Sequence, residues 1–377
     1  MTTRELTGLE GVVAASTRLS LVDGNAGRLI LAGYPVEEIA PRAKFEEMVH
    51  LLWYGRLPTL RELKELTANL ASRRRLPRAT LTLLREAAGN STPVMDALRM
   101  AAGTLSLGRR ESPEEDALTL VAAFPAIVGG YWRLKNEQEP IQPRDDFSHA
   151  DYCLHQMFGG EIGAERARGL ETYLNAVCDH GLNASTFAAR VIVSTRSDLV
   201  SAVTGAVGAL KGPLHGGAPG PALDMVFEIG RSDRAEEVIL SKLARGERLM
   251  GFGHRVYRVR DPRADVLAAA AEKFYTTEGD RELYELARNI EKIALRVLAE
   301  HKPGRRLDTN VEFYTALLLH GVGLPKESFT ATFAIARVLG WTAHCLEQLR
   351  DGRLIRPESE YTGPVDLHFK PVSERPN

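Results

Sequence analysis

Residues 251–263 read GFGHRVYRVRDPR, with His254 behind two glycines and ahead of four arginines. Glycine lets a backbone come close to a ligand because no Cβ stands in the way. Guanidinium groups grip carboxylates with two prongs, so arginines gathered beside a neutral imidazole suit a substrate carrying two or more carboxylates. The ordinary reading of the same residues is a histidine bonded to its own loop and arginines paired with neighbouring acids. This segment alone does not separate the two, so its surroundings in the chain have to.

Two more histidines stand in comparable settings. His215 lies in KGPLHGGAPGP (211–221), flanked by glycines and prolines that leave backbone N–H groups free to meet an oxygen. His180 lies in CDHGLNAST (178–186), where Asn183 or Ser185 is placed to cap the next helix. The long spacings between the three match no short zinc-ligand pattern and HExxH is absent, so metal chemistry is not indicated. In TNVEFYTALLLHG (309–321) a single acid, Glu312, stands between Val311 and Phe313 ahead of a nearly apolar run. An unpaired carboxylate costs several kcal/mol to bury, so an acid there calls for a function. Arg263 after Asp261-Pro262, Arg337 in FAIARVLGW (333–341) and Arg356 after GRLI lie on or beside apolar segments and add to the candidate anion ligands.

The bulk figures set limits. A chain of 377 residues buries a large core and divides into about two domains. Lys plus Arg (48) and Asp plus Glu (49) nearly cancel, so no overall field draws nucleic acid or an anionic membrane. The start, MTTRELTGLEG, lacks the pattern of a signal peptide, and no unbroken apolar run is long enough to span a bilayer; a cytoplasmic location is expected. Cys153, Cys178 and Cys345 are far apart and odd in number, which predicts packing residues rather than disulfides.

Helical periodicity dominates. Phe45, Met48, Val49 and Leu52 share one face in KFEEMVHLLWYG (44–55), with Gly55 as a stop, and Leu60, Leu63, Leu66 and Leu70 repeat the pattern up to the basic run 73–75. Further helices are predicted over 80–88, 93–107, 114–134 with a kink at Pro125, 148–158 and 164–179. GVVAASTRLSLVDG (11–24) predicts at most a small hairpin, and SAVTGAVGALKG (201–212) a helix small enough on one face for a close crossing. The chain is more charged over 233–301 and apolar again in FTATFAIARVLGWTAHCLEQL (329–349), which suggests a smaller domain inserted into a larger one. The tail KPVSERPN has the look of unpacked chain.

These residues resemble a known family. GFGHRVYRVRDPR, GPLHGGA and NVEFYTALLLHGVGLP are similar to the signature, the second histidine loop and the catalytic-acid segment of the citrate synthases. The likeness runs nearly end to end, through GLEGVVAASTRLSLVDG, LLWYGRLPT, DHGLNAST, FAIARVLGWTAH and IRPESEYTGP. It implies an all-α fold, with residues 1–219 and 319–377 as a large domain for dimerisation and the ketoacid, and 220–318 as a small domain that binds CoA and closes the cleft. It further implies a homodimer that condenses acetyl-CoA with oxaloacetate and hydrolyses the thioester to citrate and CoA. No metal and no permanently bound cofactor is expected; the CoA thioester is a co-substrate.

By the same resemblance His215 matches the donor to the thioester carbonyl, His254 the histidine that polarises the ketone and supplies a proton, and Glu312 the base that takes a methyl proton. His180, Arg263 and Arg337 match carboxylate ligands, and Arg356 the arginine that reaches in from the other subunit. Arg258 and the backbone from Leu249 through Gly251 to Gly253 match positions that hold CoA. Three departures stand out: Glu312 occupies a place where aspartate is usual, Val177 one where many relatives have a polar ring, and Pro219 one where many have asparagine. The last two border the ketoacid pocket and leave 2-methylcitrate synthesis from propionyl-CoA, or a weakly catalytic CoA- or carboxylate-binding homologue, as alternatives.

Overall fold

The computed structural model describes residues 7–9, 11–107, 112–216, 219–253, 256–304 and 307–375. A three-stranded antiparallel sheet of β1 (Ser20–Asp23), β2 (Arg28–Leu31) and β3 (Tyr34–Pro35) comes first, with Ser20 opposite Leu31 and Asp23 opposite Arg28. Sixteen α-helices follow among the described residues. They are α1 (Val36–Ile39), α2 (Phe45–Tyr54), α3 (Leu60–Ser72), α4 (Arg78–Gly89), α5 (Val94–Gly103), α6 (Pro113–Lys135), α7 (His149–Phe158) and α8 (Ala164–Val177). Next come α9 (Ala184–Ser194), α10 (Leu199–Leu210), α11 (Pro219–Ile229), α12 (Ala235–Ala244), α13 (Pro262–Thr277), α14 (Arg281–His301), α15 (Val311–Gly321) and α16 (Phe329–Asp351). The all-α expectation holds.

Local chemistry sets the helix ends. α2 stops at Gly55, whose φ of 75° is left-handed and open to glycine. α3 starts on a capping box, Thr59 with Glu62, the Glu62 carboxylate accepting from the Thr59 N–H at 2.8 Å. α6 continues across Pro125 and is mostly buried, so although its length and composition would allow it to cross a membrane, here it is a core helix. The small sheet is larger than the predicted hairpin: β1 falls inside 11–24, but its partners lie beyond it, where alternation is too short to signal a strand.

One contiguous core runs from Leu19 to Cys345. α16 passes through it, packed on α6, α8, α9 and α10, with Trp341 wholly buried. The small-residue reading of 201–212 is met at Gly205: a side chain there would overlap Ile192 of α9, whose side chain packs directly on the α10 backbone. All three cysteines are buried and free, as packing residues. α13 lies between α8 and α15, and the carboxyl end of α8 meets α16. Glu312, Arg263, Arg337, His180 and His215 gather around that junction.

Candidate active site

The first turn of α15 is held by its cap. Asn310 accepts from the Glu312 N–H at 2.9 Å, donates through Nδ2 to the Gly253 carbonyl at 2.7 Å, and donates its own N–H to Gly251 at 2.9 Å. Gly253 N–H donates back to Asp308 at 2.8 Å. The 249–253 segment is thus laced along 308–310, and the predicted CoA-side backbone lies directly against the helix that carries Glu312. Gly251 (φ 90°) and Gly253 (φ 78°) take left-handed turns, and a side chain on Gly251 would press on Phe313. Leu249 is buried beneath them.

Glu312 is only half-buried, yet its carboxyl pKa is pushed up to about 7. Loss of hydration is the main cause, Asp261 pushes the same way, and the Arg263 charge pulls back. Arg263 is buried in the first turn of α13 and held by Asp261, with Nη2–Oδ2 at 2.7 Å and Nε–Oδ1 at 3.1 Å. Asp261 also caps α13, accepting from the Arg263 N–H at 3.0 Å. The guanidinium is therefore fixed in place, and no described residue accepts from its Nη1.

Arg337 is 2% exposed, forms no ion pair among the described residues, and donates Nε to the Val177 carbonyl at 2.8 Å while lying over the Phe333 ring. Burial lowers its pKa to about 10, against the pull of Asp179. A buried cation with no carboxylate in contact is costly, and a substrate carboxylate would relieve it. His180 bonds Tyr257 Oη through Nε2 at 3.1 Å, which ties it to the arginine-rich segment. His215 bonds Ser185 Oγ through Nε2 at 2.8 Å, and its pKa is lowered to about 4 by burial and by Arg337, so the ring is neutral at pH 7.

The remaining expected residues divide. His254 lies outside the described residues. Arg258 is exposed, its backbone N–H on the Gly24 carbonyl at 2.8 Å, with its side chain turned to solvent. Arg356 is not in this cluster: it sits on the exposed carboxyl-terminal segment and lines a groove of about 620 Å³ with Arg18, Arg190 and Glu347.

Several supporting residues escaped the sequence reading. Trp341 donates to Ser185 Oγ at 3.0 Å, and Ser185 meets Asn183 at 2.8 Å, so three residues frame His215 from behind. Asp179 is wholly buried beside His344, whose other ring nitrogen meets Arg190, itself paired with Glu347. Glu291 accepts from Thr309 at 2.7 Å, Tyr314 at 2.5 Å and Arg260 at 2.8 Å. Only the caps carry a local signal; the others join residues far apart in sequence.

The same chain matches known proteins along its whole length. A family model described as citrate synthase, C-terminal domain, matches residues 8–358. A citrate synthase of Haloferax volcanii is 41% identical, covering 98% of each chain, and a 2-methylcitrate synthase of Mycobacterium tuberculosis is 38% identical, covering 94% of this chain and 90% of that one. The solved structure of the Thermoplasma acidophilum citrate synthase in ternary complex with carboxymethyl coenzyme A and oxaloacetate superposes with a TM-score of 0.89 at 32% identity, over 99% of this chain and 100% of that one.

Proposed function

Because the chain belongs to the citrate synthase family, we propose that it joins the methyl carbon of acetyl-CoA to the ketone of oxaloacetate and releases citrate and CoA. Glu312 takes a methyl proton; with its pKa near 7 it is ionised often enough to act and basic enough to be useful. Neutral His215 donates a hydrogen bond to the thioester oxygen as it gains charge. That requires Ser185 to turn its proton away from Asn183 Oδ1, to which it donates at 2.8 Å, and onto His215 Nε2, leaving the ring proton on Nδ1 for the substrate. His254 polarises the ketone and protonates the new alkoxide, and water then cleaves the thioester.

Arg337, Arg263 and His180 hold the carboxylates of oxaloacetate, with Arg356 supplied by the second subunit of a cytoplasmic homodimer. Arg258 and the backbone at 249–253 hold CoA. Residues 220–318 act as a small domain closing on the larger one. No resident cofactor takes part in this reading. The observation that carries it is the raised carboxyl of Glu312 in the field of the fixed Arg263 guanidinium, close to an Arg337 that is buried without an ion pair among the described residues.

The test is thiol release by the purified protein with oxaloacetate and acetyl-CoA, and separately with propionyl-CoA, beside Glu312→Gln. We expect oxaloacetate-dependent release, faster with acetyl-CoA and lost in the variant. Faster release with propionyl-CoA would make it a 2-methylcitrate synthase. No release from protein that binds oxaloacetate would leave a binding homologue.

A further inference from the structure

Two polar side-chain groups on α8 and α15 have no hydrogen-bond partner among the described residues. Tyr173 on α8 is wholly buried, and its hydroxyl has no hydrogen-bond partner among the described residues. The Glu312 carboxylate receives no hydrogen bond from any described residue; only its backbone N–H is engaged, by Asn310. α8 packs on α15, and the Val177 carbonyl that holds Arg337 lies one turn beyond Tyr173. Among charged groups, Glu312 acts most strongly on the phenol, followed by Arg337 and Arg263. A buried donor and a half-buried acceptor, neither with a hydrogen-bond partner among the described residues, thus stand on helices packed together and within each other's field.

Leaving such a donor unpaired is unfavourable, and apo hydrogen bonds at catalytic groups often tighten only with substrate. We propose that the Tyr173 hydroxyl donates to the ionised Glu312 carboxylate and so positions the base. Glutamate has one torsion more than aspartate, and Asn310 fixes only its backbone. The Tyr173 ring is fixed by packing, so its oxygen gives the longer carboxylate a defined end-point. Tyr173 is in this account a positioning residue, and the account rests on the function proposed above.

Phenylalanine keeps the ring and removes only the donor. A hydrogen bond to the ionised form lowers a carboxyl pKa, so its loss raises it. In Tyr173→Phe the acid limb of the kcat profile should move to higher pH and kcat at pH 7 should fall about tenfold, with the oxaloacetate KM within about twofold. In a Glu312→Asp background, where the carboxylate is too short to reach, the same substitution should change kcat less than about twofold. Superimposed pH profiles in wild type and Tyr173→Phe would overturn the proposal, as would a raised oxaloacetate KM at unchanged kcat, which would place the phenol on the ketoacid.

A second readout needs no turnover. Titration of the oxaloacetate-bound protein through pH 7 should give a tyrosine near-ultraviolet difference signal in the wild type that is missing from both Tyr173→Phe and Glu312→Gln. If the wild type releases no thiol, the enzymatic reading fails and this titration still decides the pairing: its absence from the wild type overturns it.

Discussion

At the residue scale the central point is one methylene. Glutamate at 312 sets its oxygens roughly 1 Å farther from the backbone than aspartate would, and misplacement of that order costs ~10²-fold in rate. If the pocket is built around glutamate, Glu312→Asp lowers kcat by about 10- to 100-fold with little change in substrate KM, as steady-state kinetics would reveal. A rise in kcat would mean that the native base is misplaced. The same residue sets a stability signature. Its folded pKa, about 7, lies above the ordinary carboxyl value, so its contribution to stability is full at pH 4 and is lost as pH rises through 7. Glu312→Gln should therefore melt higher than wild type at pH 8 and alike at pH 4, and equal melting at both would argue against a desolvated carboxylate. His180, His215, Arg263, Arg337 and Glu312 were legible in sequence, because each stands in a setting its side chain does not ordinarily choose. Their partners were not. Tyr257 meets His180 and Trp341 meets Ser185 across long stretches of chain, and periodicity carries no trace of such pairs.

At the element scale, α15 owes its placement to Glu291. This acid on α14 is buried and accepts from Thr309 just before the helix, Tyr314 within it, and Arg260 from the arginine-rich segment, while Arg288 lies beside it. These contacts hold its carboxyl below the usual range despite burial. Glu291→Ala leaves the Tyr314 phenol and the Thr309 hydroxyl without their acceptor, while Arg260 keeps Asp265, and should cost about 1–3 kcal/mol in urea unfolding, with a fall in kcat because the base helix loosens. An unfolding free energy within about 1 kcal/mol of wild type would show that α15 is fixed by apolar packing alone. Helix existence was readable because the apolar faces of α2 and α3 repeat every three or four residues and their ends carry Gly55 and the Thr59–Glu62 box. The third strand was not readable, since two residues give no alternation to detect.

At the scale of the whole molecule, one chain does not gather every expected ligand. Arg356 stands on an exposed segment with Leu354, Tyr361, Val365, Leu367 and Phe369 also open to solvent, an apolar content that a free tail does not need. In the homodimer proposed above, the same segment would bring Arg356 to the other subunit's site and cover its own apolar side chains. The idea is testable by complementation. Glu312→Gln and Arg356→Ala each inactivate their own homodimer. In a hybrid dimer, the chain that keeps Glu312 is completed by the Arg356 of its Glu312→Gln partner, so one of the two sites is intact. Co-expression at equal levels with separate tags gives hybrids as about half of all dimers, and thus about a quarter of wild-type activity in the unfractionated mixture. If Arg356 serves its own chain, each hybrid site lacks one of the two residues and no activity returns. Doubly purified hybrids sharpen the contrast to about half of wild-type turnover against none, while their sedimentation reports whether the dimer forms at all.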